Sequence, residues 1–92
     1  MMDMRIFKYE IGFNTTLKLP AGSTILKVAQ PEDRPYMWAM VDIHAEREEE
    51  RNIHIYGTGH TLPSNIVHAK FIDTFFDGPY VWHAFEFTGV EW

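Results

Sequence analysis

Cysteine is absent from this sequence of 92 residues. Without a thiol, the chain cannot form a disulfide framework, a thiolate metal site or a cysteine nucleophile. The sequence also lacks an apolar run long enough to cross a membrane as a helix, and its N-terminus lacks the apolar core of a secretory signal. We therefore expect a cytoplasmic protein with no membrane as its partner.

Positive charge is also scarce. Eight Lys and Arg residues stand against thirteen Asp and Glu residues, which gives a formal net charge of -5 at pH 7. Because binding to a nucleic-acid backbone requires a basic surface, this balance argues against DNA as a partner. A small basic pocket for one phosphate is still compatible with the composition.

Apolar and aromatic residues are abundant, at 46% and 15% of the chain. A chain of this length is predicted to form one domain, residues 1–92, which buries only a modest fraction of its surface. Pairing with a second copy would add buried surface. We therefore predict a homo-oligomer, a dimer or a higher assembly, with a twofold dimer as the simplest form.

Apolar residues recur with a period of two in most segments, and no 3.6-residue apolar stripe is present. This pattern predicts strands, separated by turn signals such as Pro20-Ala21-Gly22-Ser23 and Asp77-Gly78-Pro79. The predicted strands are Arg5–Ile11, Thr15–Leu19, Thr24–Gln30, Tyr36–Ile43, Arg51–Tyr56, Val67–Phe76 and Tyr80–Phe87. About seven short, mainly antiparallel strands indicate an all-β fold, a compact single-domain sandwich or barrel.

Three segments carry more specific expectations. Tyr36–Ile43 is apolar on both faces, which predicts a central strand or one covered by a partner. We expect Trp38 and Trp82 to form a buried core pair. His44–Asn52 is highly charged and has no apolar stripe, so we interpret it as an exposed loop. Asn65–Lys70 can hold a helical turn.

The candidate site is a glycine-rich segment that follows the fifth predicted strand. Its residues are Tyr56, Gly57, Thr58, Gly59, His60 and Thr61. Two glycines can adopt positive φ, so that successive amides converge on an anion, while the hydroxyls and the imidazole add donors. A third glycine and a following helix are missing, which excludes a dinucleotide fingerprint and a P-loop. The simpler alternative is a strand connection without a ligand.

Histidines at positions 44, 54, 60, 68 and 83 have no metal-ligand spacing, so we predict neither a metal site nor a cofactor. None of them begins the His-x-Thr or His-x-Ser triplet of two-histidine phosphoesterases. The two serines, Ser23 and Ser64, lie in turn segments without a nucleophile elbow. We therefore predict no catalytic residue and expect that the protein is not an enzyme.

Several aromatic residues can stack on a base or form an oligomer interface, although core packing is the ordinary role of such residues. These residues are Tyr36, Trp38, Tyr56, Phe76, Tyr80, Trp82 and Trp92.

Blocks along nearly the whole chain resemble a family of small phage and prophage proteins of about this length. The blocks are Phe7-Lys8-Tyr9-Glu10, the segment from Leu19 to Val28, Trp38-Ala39-Met40-Val41-Asp42, Tyr56-Gly57-Thr58-Gly59-His60, the segment from Phe71 to Phe75 and the segment from Val81 to Glu86. The Tyr-Gly-Thr-Gly-His block is the most specific of them. The resemblance implies a phage-related cytoplasmic protein with a compact β fold, and it transfers no catalytic residue.

The leading hypothesis is a non-enzymatic, phage-type binding protein that sequesters a small phosphorylated or nucleotide-like host signal, as a counter-defence. One or two basic residues, from this copy or a second one, would complete the anion pocket. The candidates are Arg5, Lys8, Lys27, Arg34 and Lys70. The alternatives are an interaction module that modulates a host protein without a small ligand and, third, a small phosphate-handling enzyme.

Overall fold

The computed structural model describes residues 1–87, which contain seven strands and one short 3-10 helix. The strands are β1 (Met4–Glu10), β2 (Asn14–Pro20), β3 (Thr24–Ala29), β4 (Tyr36–Asp42), β5 (Glu48–Gly57), β6 (Lys70–Asp77) and β7 (Tyr80–Phe87). They form two antiparallel sheets, sheet A with the order β1-β4-β3 and sheet B with the order β2-β5-β7-β6. The all-β prediction is therefore confirmed. Trp92 lies outside the described residues.

The two sheets enclose one apolar core between their inner faces, as in a sandwich. Alternate residues of each strand point inward because successive side chains of a strand lie on opposite faces. In β4 the inward set is Met37, Ala39 and Val41, all fully buried. From sheet B, Ile53 and Phe75 meet them in the same cluster. Burying each large apolar side chain contributes about 1.5–3 kcal/mol, so this cluster is the main source of stability.

The other face of β4 is not part of the core. β4 is the central strand of sheet A, as predicted, but Trp38 lies on its outer face and is only partly buried. In the sheet register, Trp38 lies opposite Lys8 on one side and Lys27 on the other. Trp82 packs against the core from sheet B. The predicted core pair of Trp38 and Trp82 is therefore wrong. Trp38 lies on the outer face of sheet A, whereas Trp82 lies on the inner face of sheet B, against the core.

The charged segment after β4 is also more ordered than predicted. Only its first part is a loop, since β5 already begins at Glu48 and pairs with β2 from there. Along this strand Glu48 and Glu50 are exposed, whereas Arg51 points inward and pairs with Glu86. The expectation of an exposed loop over His44–Asn52 is wrong for its second half. On the inner face of this part of β5, the ion pair between Arg51 and Glu86 takes the position that apolar side chains occupy elsewhere in the strand.

The segment before β6 contains the helical turn that the sequence allowed. A 3-10 helix spans Ser64–His68, and β6 therefore begins at Lys70 rather than at Val67. In the part of the chain that the structure describes, no helix has the length and apolarity needed to span a membrane. The helix follows the glycine-rich loop and leads the chain back to the edge of sheet B.

Candidate functional site

The glycine-rich loop is a tight turn at the end of β5. The N–H of His60 donates to the carbonyl of Gly57 at 3.1 Å, and Gly59 has a φ of 88°. A positive φ at the third position defines a type II turn and favours glycine there. The N–H of Thr58 donates to the carbonyl of Val81 at 3.0 Å, which attaches the turn to β7. The loop is thus held rigidly against sheet B.

The two glycines of the loop have different roles. Gly59 supplies the positive φ, but Gly57 does not adopt one. Gly57 instead provides space, because a Cβ there would lie 2.7 Å from Cε1 of His60 and 3.1 Å from Cζ3 of Trp82. The expectation that both glycines adopt positive φ is therefore wrong for Gly57, where the packed His60 ring is the reason for glycine.

Most of the loop amides are engaged inside the protein. The N–H of Gly57 donates to Nδ1 of His60 at 3.2 Å, and the amides of Thr58 and His60 donate to backbone carbonyls. Three of the amides that would have formed an anion-binding concavity therefore have partners already. The geometry favours side-chain groups over backbone amides as the ligand contacts of this loop.

A pocket of about 220 Å³ opens beside the loop. Its lining residues are Tyr56, Gly57, Thr58, Gly59, His60, Leu62, His83 and Phe85. Five of the six candidate residues from the sequence are thus brought together, whereas Thr61 does not line the pocket. The sequence analysis missed Leu62, His83 and Phe85 as site residues. Alternation along β7 places His83 and Phe85 on one face, but only the pairing of Tyr56 with His83 brings that face to the loop.

His83 is the most firmly oriented side chain of the pocket. Its Nε2 lies 2.7 Å from Oγ1 of Thr58, and its Nδ1 lies 2.9 Å from Oγ1 of Thr74. A neutral imidazole has one donor and one acceptor, so one threonine hydroxyl donates to the ring and the other accepts from it. A hydroxyl beside an imidazole is also part of a nucleophile arrangement. Here the third group is the hydroxyl of Thr74 and not a carboxylate, so the two threonines fix the orientation of the His83 ring without placing a negative charge beside it.

His60 lies between this pocket and a second hollow of about 260 Å³. Both are lined by Gly57, Thr58 and His60, and the second also contacts Tyr80 and Trp82. The His60 and Trp82 rings are 6.1 Å apart at an interplanar angle of 70°. Because Nδ1 of His60 accepts the N–H of Gly57, the neutral ring carries its proton on Nε2. That Nε2–H is the group of His60 that can donate to a ligand.

Aromatic rings continue from the pocket across the outer face of sheet B, and we call this row the aromatic strip. It consists of Phe71, Phe85, Tyr56, His54 and Phe87. Neighbouring ring centroids lie 4.7 to 6.4 Å apart. Burial lowers the pKa of His54 and raises the pKa of Tyr56. Both side chains are therefore neutral at pH 7, and the strip presents ring faces without charge.

The side chains that commonly bind metal ions do not cluster within the described residues. Among residues 1–87, no group of three His, Asp or Glu side chains has the geometry to hold an ion. The chemical character of the site therefore comes from rings, hydroxyls and imidazoles.

Fold and site together define an all-β sandwich with a ring-lined pocket at one end of sheet B. Residues 2–91 match the model of a family described as a domain of unknown function, DUF7352, and the chain belongs to this family. Neither the curated proteins nor the solved structures contain a match to the chain.

Proposed function

We propose that this chain is a non-enzymatic binding protein that holds a small, ring-bearing, nucleotide-like ligand in the pocket beside the Tyr56–His60 loop. The observation that carries the proposal is the composition of that pocket. The rings of Tyr56 on β5 and Phe85 on β7 lie beside the imidazoles of His83 on β7 and His60 on the turn. Stacking would hold the plane of the ligand, and the imidazoles would bind its polar edge.

The size of the pocket limits which part of the ligand it can hold. Its volume of about 220 Å³ is below the range of about 300–1,000 Å³ for drug-sized ligands. One ring therefore enters the pocket, and the rest of the ligand lies along the aromatic strip or in solvent. Because the amides of Gly57, Thr58 and His60 have partners, a phosphate would lie outside the pocket. There a lysine or arginine of this copy or a second one would pair with it.

The biological role follows from the resemblance to small phage and prophage proteins. In that setting, a cytoplasmic binding protein would sequester a nucleotide-like host signal and so act against host defence. Such a role needs tight binding and no turnover, and it is supported by a pocket lined with aromatic rings and hydrogen-bonding side chains.

The first experiment is a thermal-shift screen with nucleosides, nucleotides and cyclic nucleotides. A ligand that binds only the folded state at 100 times its Kd stabilises that state by about 2.7 kcal/mol. For a domain of this size, each kcal/mol raises Tm by about 4–8 °C. A true ligand therefore gives a shift of about 10 °C or more, and a screen without any shift would contradict a ligand of these classes.

Calorimetry with single variants then tests the site. Tyr56→Ala removes a stacking face, and His60→Ala removes a hydrogen-bond donor, so each should weaken binding by about 1–3 kcal/mol. Phe76→Ala and His44→Ala are matched controls, because both side chains are exposed and lie outside the pocket. If both site variants bind like the controls, the loop is only a strand connection.

The exposure of Phe71, at one end of the aromatic strip, supports a second candidate, an interaction module that docks a host protein without a small ligand. Phe71 is 51% exposed although it contacts the Phe85 ring. A host protein whose binding is lost in Phe71→Ala and unchanged in His60→Ala would favour this candidate. The reverse pattern with a small ligand would favour the first.

A further inference from the structure

The two long edges of the sandwich are protected differently. At the edge formed by β3 and β6, the carboxylate of Asp73 accepts hydrogen bonds from the N–H of Val28 at 3.2 Å and from Nζ of Lys27 at 3.3 Å. Both strands also carry a register irregularity, between Ile25 and Lys27 and between Phe71 and Asp73. A side-chain cap and bulges are common means of preventing an edge strand from pairing. This edge is therefore closed.

The β1 edge has neither device. β1 pairs with β4 over all seven residues without a register shift. On either side of this ladder, the N–H of Ile43 donates to the carbonyl of Asp3 and the N–H of Ile11 donates to the carbonyl of Pro35. Asp3 and Ile11 are both odd-numbered, and hydrogen-bonded positions alternate along an antiparallel pair. The odd-numbered residues of β1 therefore bond to β4. The backbone groups of the even-numbered residues, Met4, Ile6, Lys8 and Glu10, therefore point to the open edge.

The neighbouring edge strand of sheet B is less suited to pairing. The N–H of Ile55 donates to the carbonyl of Phe13, so the odd-numbered residues of β2 bond to β5 and the even-numbered ones point outward. One of these outward positions is Pro20, which has no N–H to donate. β1 has no proline and exposes apolar side chains on both faces, with Ile6 59% and Phe7 42% exposed. The open edge that can accept a strand is therefore β1.

We propose that β1 pairs antiparallel with β1 of a second copy of this chain, across a twofold axis that passes through Phe7. In this register, Phe7 lies opposite Phe7 of the second copy and Arg5 lies opposite Tyr9 on the face toward sheet B. On the outer face, Ile6 lies opposite Lys8 and Met4 lies opposite Glu10. Phe7 meets its own copy, each charged residue of β1 faces an uncharged one, and no like charges meet.

The sequence of β1 selects this register among those that twofold symmetry allows. A shift that places the axis at Lys8 brings two lysines directly opposite each other, which is unfavourable. A shift that places the axis at Ile6 leaves Tyr9 and Glu10 opposite residues that precede β1, so that these two positions have no strand partner. With the axis at Phe7, all seven residues pair, and four hydrogen-bonded pairs with two bonds each give about eight backbone hydrogen bonds. The two copies of sheet A then form one continuous six-stranded sheet.

The Phe7 pair also gives the contact its most specific test. Phe7 occupies a position that does not bond to the partner strand, where opposite Cα atoms are about 4.5 Å apart. This distance lies within the range that a disulfide spans, about 4.4–6.8 Å. Since the chain has no cysteine, a single introduced cysteine reports one position without background.

The experiment is oxidative cross-linking of Phe7→Cys, with Phe76→Cys as the matched control. Phe76 is also an exposed phenylalanine, but it lies on β6, at the closed edge. We expect Phe7→Cys to form a covalent dimer at least about tenfold faster than the control at micromolar concentration, because pairing raises the effective thiol concentration. A mixture of Ile6→Cys and Lys8→Cys should cross-link faster than either variant alone. Equal rates for Phe7→Cys and Phe76→Cys would overturn the proposal.

Sedimentation velocity supplies a second test without cysteines. The wild type should sediment as a dimer over a micromolar concentration series. Ile6→Pro should sediment as a folded monomer, because it removes an N–H that points to the open edge and leaves the bonds to β4 intact. A wild type that stays monomeric over the whole micromolar series, or a dimer that persists in Ile6→Pro, would overturn the proposal. Should Ile6→Pro fail to fold, the cross-linking comparison decides.

Discussion

Glu86→Gln perturbs the most buried electrostatic contact of the described chain. The Arg51 side chain is 14% exposed and the Glu86 side chain 10%. Arg51 donates from Nε and Nη2 to the two carboxylate oxygens, and from Nη1 to the carbonyl of Ser23 at 2.9 Å. The carboxylate raises the pKa of Arg51, so the guanidinium is charged at every accessible pH. The pair thereby connects β5, β7 and the turn before β3.

The cost of breaking this pair follows from what remains buried. Removing one partner of a buried ion pair costs about 3–5 kcal/mol, because the other charge is left without compensation. Glutamine keeps the volume and one acceptor, so we expect the lower part of this range, about 3 kcal/mol. A domain with about 0.05–0.15 kcal/mol per residue has a total of roughly 5–14 kcal/mol at this length. The substitution therefore removes a large share of the stability.

Two further variants test whether the loss of stability in Glu86→Gln comes from leaving Arg51 as a buried charge without a partner. Glu48→Gln, on the exposed side of β5, should change the free energy of unfolding by less than about 0.5 kcal/mol. The double variant Arg51→Met with Glu86→Leu removes both charges and should recover to within about 1 kcal/mol of the wild type. Urea unfolding followed by tryptophan fluorescence, with linear extrapolation, measures all of them. Equal midpoints for Glu86→Gln and Glu48→Gln would refute the reasoning.

Three further predictions concern the core, one histidine and the loop. Met37→Ala should cost about 2–5 kcal/mol and Trp38→Ala clearly less, because Met37 is fully buried and Trp38 is on the outer face; equal urea midpoints would place Trp38 in the core. Burial lowers the pKa of His54, so below about pH 6.5 the unfolded chain binds a proton that the folded chain does not. The free energy of unfolding should therefore fall from about pH 7 to 5, and less in His54→Asn; parallel pH profiles would contradict this. Gly59→Ala should lower the free energy of unfolding by about 1–2 kcal/mol, because alanine is strained at positive φ. Gly57→Ala should instead displace the His60 ring, which a changed His60 signal in NMR spectra would report.

Local signals in the sequence were sufficient for the strands and most turns. The period of two identified all seven strands to within a few residues, because each strand exposes its side chains alternately whatever its neighbours are. Gly22 and Gly78 both have positive φ, in agreement with the turn signals at Pro20–Ser23 and Asp77–Pro79. The loop at Tyr56–His60 was also recognisable, because glycine restricts where a tight turn can form.

Which face of each strand is buried, and which residues share the pocket, depended on the tertiary structure. Tyr36–Asp42 is apolar on both faces, so only the packing of sheet B on one of them decides that Met37 is core and Trp38 is not. Arg51 lies in a charged run of the sequence, but its partner Glu86 is 35 residues away. Only the pairing of β5 with β7 brings the two side chains together. His83 joins the loop because β7 pairs with β5, and such long-range pairing is not encoded in any single segment. The physical reason is that alternation is a local property of one strand, whereas burial depends on which strands meet.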